Sequence, residues 1–224
     1  MIPAPEPIGT GPAGTEPITS VPAAILFAGG RGSRLGGIDK AELRLGGTRL
    51  IDRVVAAVRP RGVTHIVVVG PDHAVPSGCI PAREDPPFGG PLAALAAGLD
   101  VLHVGPEIVP NDTVFLLSCD LEHPEAVVSA LAREPLCAAD GTPVDAVILH
   151  DPDGRAQWLA GRYRIAPLRA GVAAVGEVAN RPLRAACDGL SIRAVPASAA
   201  LIADIDTPAD LARARAANPG KDTP

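Results

Sequence analysis

The chain carries eighteen arginines but only two lysines, Lys40 and Lys221, and Lys221 lies three residues from the C-terminal end. Lys40 is therefore the one lysine in the body of the protein. A compact ammonium on a flexible stem is not interchangeable with a planar guanidinium fork. Lys40 closes the run Ala28-Gly29-Gly30-Arg31-Gly32-Ser33-Arg34-Leu35-Gly36-Gly37-Ile38-Asp39-Lys40. Glycines let backbone N–H groups close on phosphate oxygens, and concave clusters of such amides bind anions. Arg34 can hold two phosphate oxygens at once. The chemistry suggested is that of a polyphosphate held by backbone and neutralised by a few cations. The plainer alternative is a flexible glycine turn beside a surface lysine.

Two common phosphate motifs do not fit. A Walker A loop requires Ser or Thr after the lysine, and here Ala41 follows. A dinucleotide fingerprint requires G-x-G-x-x-G, and Gly30-x-Gly32-x-x-x-Gly36 misses the last step by one residue.

The elements that must position this loop are legible as alternating patterns. Val21–Ala28 is a short apolar run ending in glycines, the mark of a buried strand. Thr48–Val58 places apolar residues on one helical face. His65–Val69 reads as a strand stopped by Gly70-Pro71-Asp72. Gly90–Leu102 reads as a helix with Pro91 in its first turn. Thr113–Leu117 is a further buried strand that delivers Asp120 just past its end, and Pro124–Arg133 is helical. Val144–His150 and Trp158–Arg164 flank the turn Asp151-Pro152-Asp153-Gly154 and suggest a hairpin-like pair. Helices are expected from near Ala166 and near Ala179, and a strand over Ser191–Val195. Thr207-Pro208-Ala209-Asp210 opens a last helix with a threonine cap, proline at the first position and an acid in the first turn.

Strand–helix alternation of this kind predicts an α/β fold in three layers, a mostly parallel twisted sheet with helices on both faces. Ligands of such sheets sit beyond the carboxyl ends of the strands. The glycine loop, the segment Asp85–Leu92 and Asp120 all fall there. One domain over residues 22–217 is expected, between a proline-rich leader (1–21) and a short tail (218–224). The leader has five prolines before Ser20 and little apolar periodicity, which reads as disorder. It has no basic start and apolar run of the kind a signal peptide shows.

Composition narrows the class. Aromatics make up 2% of a chain that is 47% hydrophobic, so the core must be aliphatic. The net charge of −5 argues against nucleic acid as a partner, and no apolar run approaches membrane-spanning length. Residues 31–53 nevertheless carry a net +3, a local field suited to phosphates. Cys79, Cys119, Cys137 and Cys187 are widely spaced, with no metal or C-x-x-C pattern, and read as free thiols of a cytoplasmic protein. The five histidines show no i, i+4 pairing.

The glycine run, continued by Leu45-Gly46-Gly47-x-x-Leu50, resembles the opening of the molybdenum cofactor guanylyltransferases, within the MobA-like nucleotidyltransferases of Rossmann-like fold. Glu84-Asp85 with Gly90-Pro91-Leu92-Ala93 is similar to the family's base-and-ribose segment. Cys119-Asp120-x-x-x-Pro124 is similar to its metal step, and Pro167-Leu168 and Asp204-x-Asp206-Thr207-Pro208 to its closing motifs. The resemblance implies transfer of GMP from GTP to molybdopterin with release of pyrophosphate. Ala28, Gly29, Gly30, Arg31 and Gly32 would hold the triphosphate, with Arg34 and Lys40 neutralising it. Asp85, Gly90, Pro91 and Leu92 would line the base site. Asp120 would hold Mg²⁺, or else cap the next helix. Asp206 would join it, or cap the last helix with Thr207. Where the family often carries a histidine-proline pair, this chain has Gln157-Trp158, the expected acceptor side. A cytidylyltransferase of molybdopterin, a sugar-phosphate nucleotidyltransferase and a non-catalytic nucleotide-binding module remain alternatives. The expected assembly is a monomer or a weak homo-oligomer.

Overall fold

The computed structural model of the protein describes residues 22–29, 42–102 and 112–217. Gly30, Arg31, Gly32, Arg34, Asp39 and Lys40 lie outside the described residues, as do the leader and the tail.

Seven strands form one sheet in the order β5-β4-β1-β6-β8-β7-β9. They are β1 (Pro22–Phe27), β4 (His65–Val69), β5 (Ile80–Ala82), β6 (Thr113–Ser118), β7 (Ala146–His150), β8 (Ala156–Arg164) and β9 (Ile192–Pro196). β1 pairs in parallel with β4 and β6, β4 with β5, and β7 with β9. β8 alone runs against its neighbours, β6 on one side and β7 on the other. The mostly parallel sheet and the β7–β8 hairpin expected from sequence are both present.

Alternation along β1 sends Ala24 and Leu26 to one face and Ala23, Ile25 and Phe27 to the other. The first face is covered by α1 (Leu50–Val58) and α3 (Pro124–Arg133), through residues such as Ile51, Val54 and Val128. The second is covered by α2 (Pro91–Val101) and α4 (Ile165–Val175), through Leu95, Leu99 and Leu168. α2 lies so close to the sheet that a Cβ on Gly98 would meet Ile25 Cγ2 at 2.8 Å. A third, small cluster joins α5 (Pro208–Ala216) to a two-stranded hairpin, β2 (Arg44–Leu45) and β3 (Thr48–Arg49). Among the described residues no helix is long and apolar enough to cross a membrane.

Three elements differ from the sequence expectation. Thr48 and Arg49 belong to the hairpin rather than to α1. Gly46 and Gly47 both have positive φ, the two-residue turn that matches strand twist, and the helix starts only at Leu50. No α-helix forms near Ala179. Asn180 is left-handed, Pro182 biases its predecessor away from helical backbone, and only a short 3-10 turn follows at Leu183–Ala186. β5 was not anticipated, because Ile80-Pro81-Ala82 is too short to show a period and contains a proline. Proline is tolerated there because β5 is an edge strand.

Candidate functional site

Two cavities open at the carboxyl ends of the central strands. The first, about 280 Å³, lies between the ends of β1 and β4 and the start of α2, with Gly29, Glu84, Phe88 and Gly90 in its walls. The second, about 400 Å³, lies beyond the end of β6 and is bounded by Asp120, Gln157, Trp158, Arg184 and Asp204. Pro91, Ser118 and Leu159 line both, so the two form adjoining halves of one cleft.

The first half is shaped by backbone. Ala28 N–H donates to Val69 O at 2.9 Å, which carries the β1–β4 ladder one residue beyond β1 and sets Gly29 at the cavity. Gly90, the N-cap of α2, has φ 91° and ψ 177°, a region essentially closed to residues with a Cβ. Pro91 follows at the first helical position, where a missing N–H costs nothing. The adjoining loop is pinned by Asn180 N–H to Gly89 O at 2.6 Å and by Phe88 N–H to Glu84 Oε1 at 3.1 Å. Phe88 is 55% exposed with φ 65°, an unusual conformation for a bulky residue.

The second half is shaped by side chains on irregular backbone. Asp120 is 6% exposed, and the Ser118 hydroxyl donates to its Oδ1. The stretch after it is gripped by a late segment: Ile205 N–H donates to Asp120 O at 2.9 Å, Glu122 N–H to Ala203 O at 2.8 Å, and Leu121 bridges Asp204. This pairing brings Asp120 and Asp204 to the wall of one cavity. The buried Glu122 carboxylate accepts from Arg213 of α5 at 2.9 Å, which fastens that helix behind the segment.

Opposite, β8 bulges. Ile148 faces Gly161, but the next residue of β7, Leu149, faces Gln157, so Trp158, Leu159 and Ala160 are extra on the β8 side. A bulge re-aims the side chains it carries, and all three line the second cavity. Trp158 also packs on the core face that holds α2 and α4. Its carbonyl accepts from the Tyr163 hydroxyl at 2.9 Å. Burial pushes the Tyr163 phenol well above its ordinary range, with a smaller contribution from Cys187, so the hydroxyl stays a donor.

Several sequence expectations are refined by these positions. Asp120 does not cap α3; His123 occupies that position, without a side-chain hydrogen bond. Asp206 does not cap α5 either. Thr207 does, in a reciprocal capping box with Asp210. Asp204, two residues earlier, is the member of the closing motif that lines the cavity with Asp120, and Asp206 is not among the lining residues. Asp85 is exposed outside the first cavity, whose wall is Glu84. The Leu92 side chain is fully buried in the core and its N–H donates to Arg181 O at 3.4 Å. Cys119 and Cys187 are buried and Cys79 and Cys137 half-buried, all as free thiols. Burial pushes the Cys187 thiol up to about 12, aided by Asp188.

Ser118, Phe88 and Arg184 were not anticipated as site residues, while Glu84 and Asp204 were read only as motif neighbours of Asp85 and Asp206. Ser118 had a visible signal, as the polar end of an otherwise apolar strand beside Asp120. Arg184 had none, because its place depends on the loss of the helix expected near Ala179.

Residues 24–189 match the model of the MobA-like NTP transferase domain. The chain belongs to this family. As a MobA-like NTP transferase domain it is 32% identical over 139 residues to the molybdenum cofactor guanylyltransferase of Cupriavidus pinatubonensis. That alignment covers 59% of this chain and 64% of the relative. It is 35% identical over 138 residues to that of Cupriavidus taiwanensis, with the same coverage. The chain thus spans a little under two thirds of the length of these relatives. The crystal structure of molybdopterin-guanine dinucleotide biosynthesis protein A from Archaeoglobus fulgidus superposes with a TM-score of 0.64 at 18% identity, covering 88% of this chain and 98% of that one. A nucleotidyl transferase from Methanothermobacter thermautotroptrophicus gives 0.64 at 21% identity, covering 88% and 97%. These likenesses establish the fold. The family match takes in Glu84, Asp120 and Trp158 and ends before Asp204 and α5.

Proposed function

We propose that the protein is a guanylyltransferase of molybdopterin. A terminal phosphate oxygen of the acceptor attacks the α-phosphorus of GTP, the bond to the β-phosphate bridge breaks, and pyrophosphate leaves with that oxygen. The observation that carries this reading is the divided cleft. A backbone-built half at the ends of β1 and β4 adjoins a side-chain-built half around Trp158, and Asp120 stands by the shared wall.

The acceptor phosphate is already anionic at neutral pH, so the chain need supply no strong base. The work is to align two polyanions and to accommodate the charge on the departing pyrophosphate. Glycine amides from Gly29 onward suit the triphosphate, and Arg34 and Lys40 would balance its charge. Asp120 and Asp204 line one cavity, and their hard carboxylate oxygens are the groups that would hold Mg²⁺. Bound there, Mg²⁺ would polarise the phosphoryl group and neutralise developing charge. The Ser118 hydroxyl holds one Asp120 oxygen in place. Trp158 would offer a flat face to a pterin, and Arg184 a cation at the mouth of the same half. Four free thiols suit a reducing cytoplasm.

Thermal shift with Mg²⁺ and each of GTP, CTP, ATP and UTP tests the base, and pyrophosphate release with molybdopterin tests the transfer. The expected result is the largest stabilisation by GTP, with release only when acceptor is present. A clear preference for CTP would replace the guanylyl assignment with a cytidylyl one. No release with any nucleotide would favour a binding module.

A further inference from the structure

We infer that Tyr163 is a positioning residue for the acceptor half of the cleft, acting through the Trp158 bulge. The inference rests on the acceptor assignment above only for its kinetic consequence. Trp158 and Leu159 are paired with neither neighbouring strand. The β6 ladder reaches Ala160, opposite Leu117, and the β7 ladder jumps from Gly161 to Gln157. A carbonyl in such a bulge has lost its ladder donor and must find another partner or water. The Tyr163 hydroxyl, on a fully buried ring, supplies that donor to Trp158 O at 2.9 Å.

The ring reaches this carbonyl because Gly161 lets it pass. A Cβ at position 161 would stand 2.6 Å from Tyr163 Cε2 and 2.9 Å from Ile148 Cγ2. The missing side chain at 161 and the ring at 163 are thus complementary parts of one arrangement. They set the backbone of Trp158 and Leu159, and with it the wall shared by the two cavities. Phenylalanine at 163 would keep the packing and delete only the donor, so the bulge would be free to shift.

Trp158 is the sole tryptophan of the chain, so its fluorescence reports this place alone. The experiment compares wild type with Tyr163→Phe, excited where tyrosine does not absorb, and follows emission maximum and acrylamide quenching of the free protein. Steady-state constants for molybdopterin and for GTP are then measured. Losing one hydrogen bond to a part-buried carbonyl predicts an acceptor KM raised about two- to ten-fold. Quenching should rise in parallel, with GTP KM and kcat nearly unchanged. Tyr163→Leu, which removes ring and hydroxyl together, should exaggerate the same signature below its own melting temperature. Emission, quenching and acceptor KM equal to wild type in a folded Tyr163→Phe protein would overturn the inference. If wild type transfers to no acceptor, the function proposed above falls, while the fluorescence of the free protein still decides the role of Tyr163.

Discussion

The two halves of the cleft are made in different ways. The half proposed for the nucleotide stands on parallel strands β1 and β4 and the start of α2, and its key positions are a strand end, Gly90 and Pro91. The half proposed for the acceptor stands on the antiparallel strand β8, where a bulge and a late extended segment bring in Trp158, Asp120 and Asp204. The first half offers amides and a helix N-terminus, groups that any triphosphate can use. The second offers particular side chains on backbone that the sheet does not regularise. On the proposed assignment, generic recognition would rest on geometry that few substitutions can alter, and selective recognition on positions where many can.

The sharpest test of that division is the residue at their boundary. Asp120→Asn keeps size and a hydrogen-bond acceptor for Ser118 but removes the charge. Transfer should fall by about 10²–10³-fold, as for loss of one electrostatic element of an active site. Melting temperature should stay close to wild type. A drop confined to acceptor KM would assign Asp120 to one half only and break the division drawn here.

A matched pair of glycine substitutions separates the halves. Gly90→Ala forces a Cβ into a backbone region reserved for glycine, at a cost of about 1–3 kcal/mol, and should raise the KM for nucleotide. Gly161→Ala drives a Cβ against the Tyr163 ring, an overpacking cost of about 1–3 kcal/mol, and should raise the KM for acceptor. Equal effects of both variants on both constants would show that the shared wall of Pro91, Ser118 and Leu159 couples the halves into one site.

The same contrast explains what the sequence disclosed. β1, β4 and β6 are buried on both faces, so each is a short apolar run with a turn at its end, and each was placed to within two residues. α5 was recognisable from Thr207-Pro208 and Asp210 because a capping box is local chemistry. The acceptor half depends on contacts distant in sequence. Nothing near Asp204 announces its bridge to Leu121, and Asp206, one strand period later, was the expected partner of Asp120 instead. The bulge is hidden for a similar reason, since an unopposed residue is defined by the neighbouring strand. Gly161 two residues ahead of Tyr163 was its only local trace.

The smallest expected effect concerns α5, which braces the acceptor half from behind. Asp210 accepts from Thr207 and Arg213, and Arg213 also grips Glu122 beside the Asp120 segment. The Thr207 hydrogen bond, then Arg213, hold the Asp210 carboxyl down to about 2, against an ordinary 3.8. A depressed carboxylate stabilises the fold in full above 3.8, and that contribution is lost as pH falls toward 2. Asp210→Asn removes the titration but keeps a side-chain oxygen for the cap. The melting-temperature gap between wild type and Asp210→Asn should be constant above pH 3.8 and should close as pH approaches about 2. Because Arg213 joins this cap to Glu122, acidification should loosen the acceptor half before the nucleotide half. Trp158 emission would then shift at a higher pH than the pH at which GTP stops protecting against melting. A gap that widens on acidification would place the stabilising charge elsewhere and cut the link between α5 and the acceptor wall.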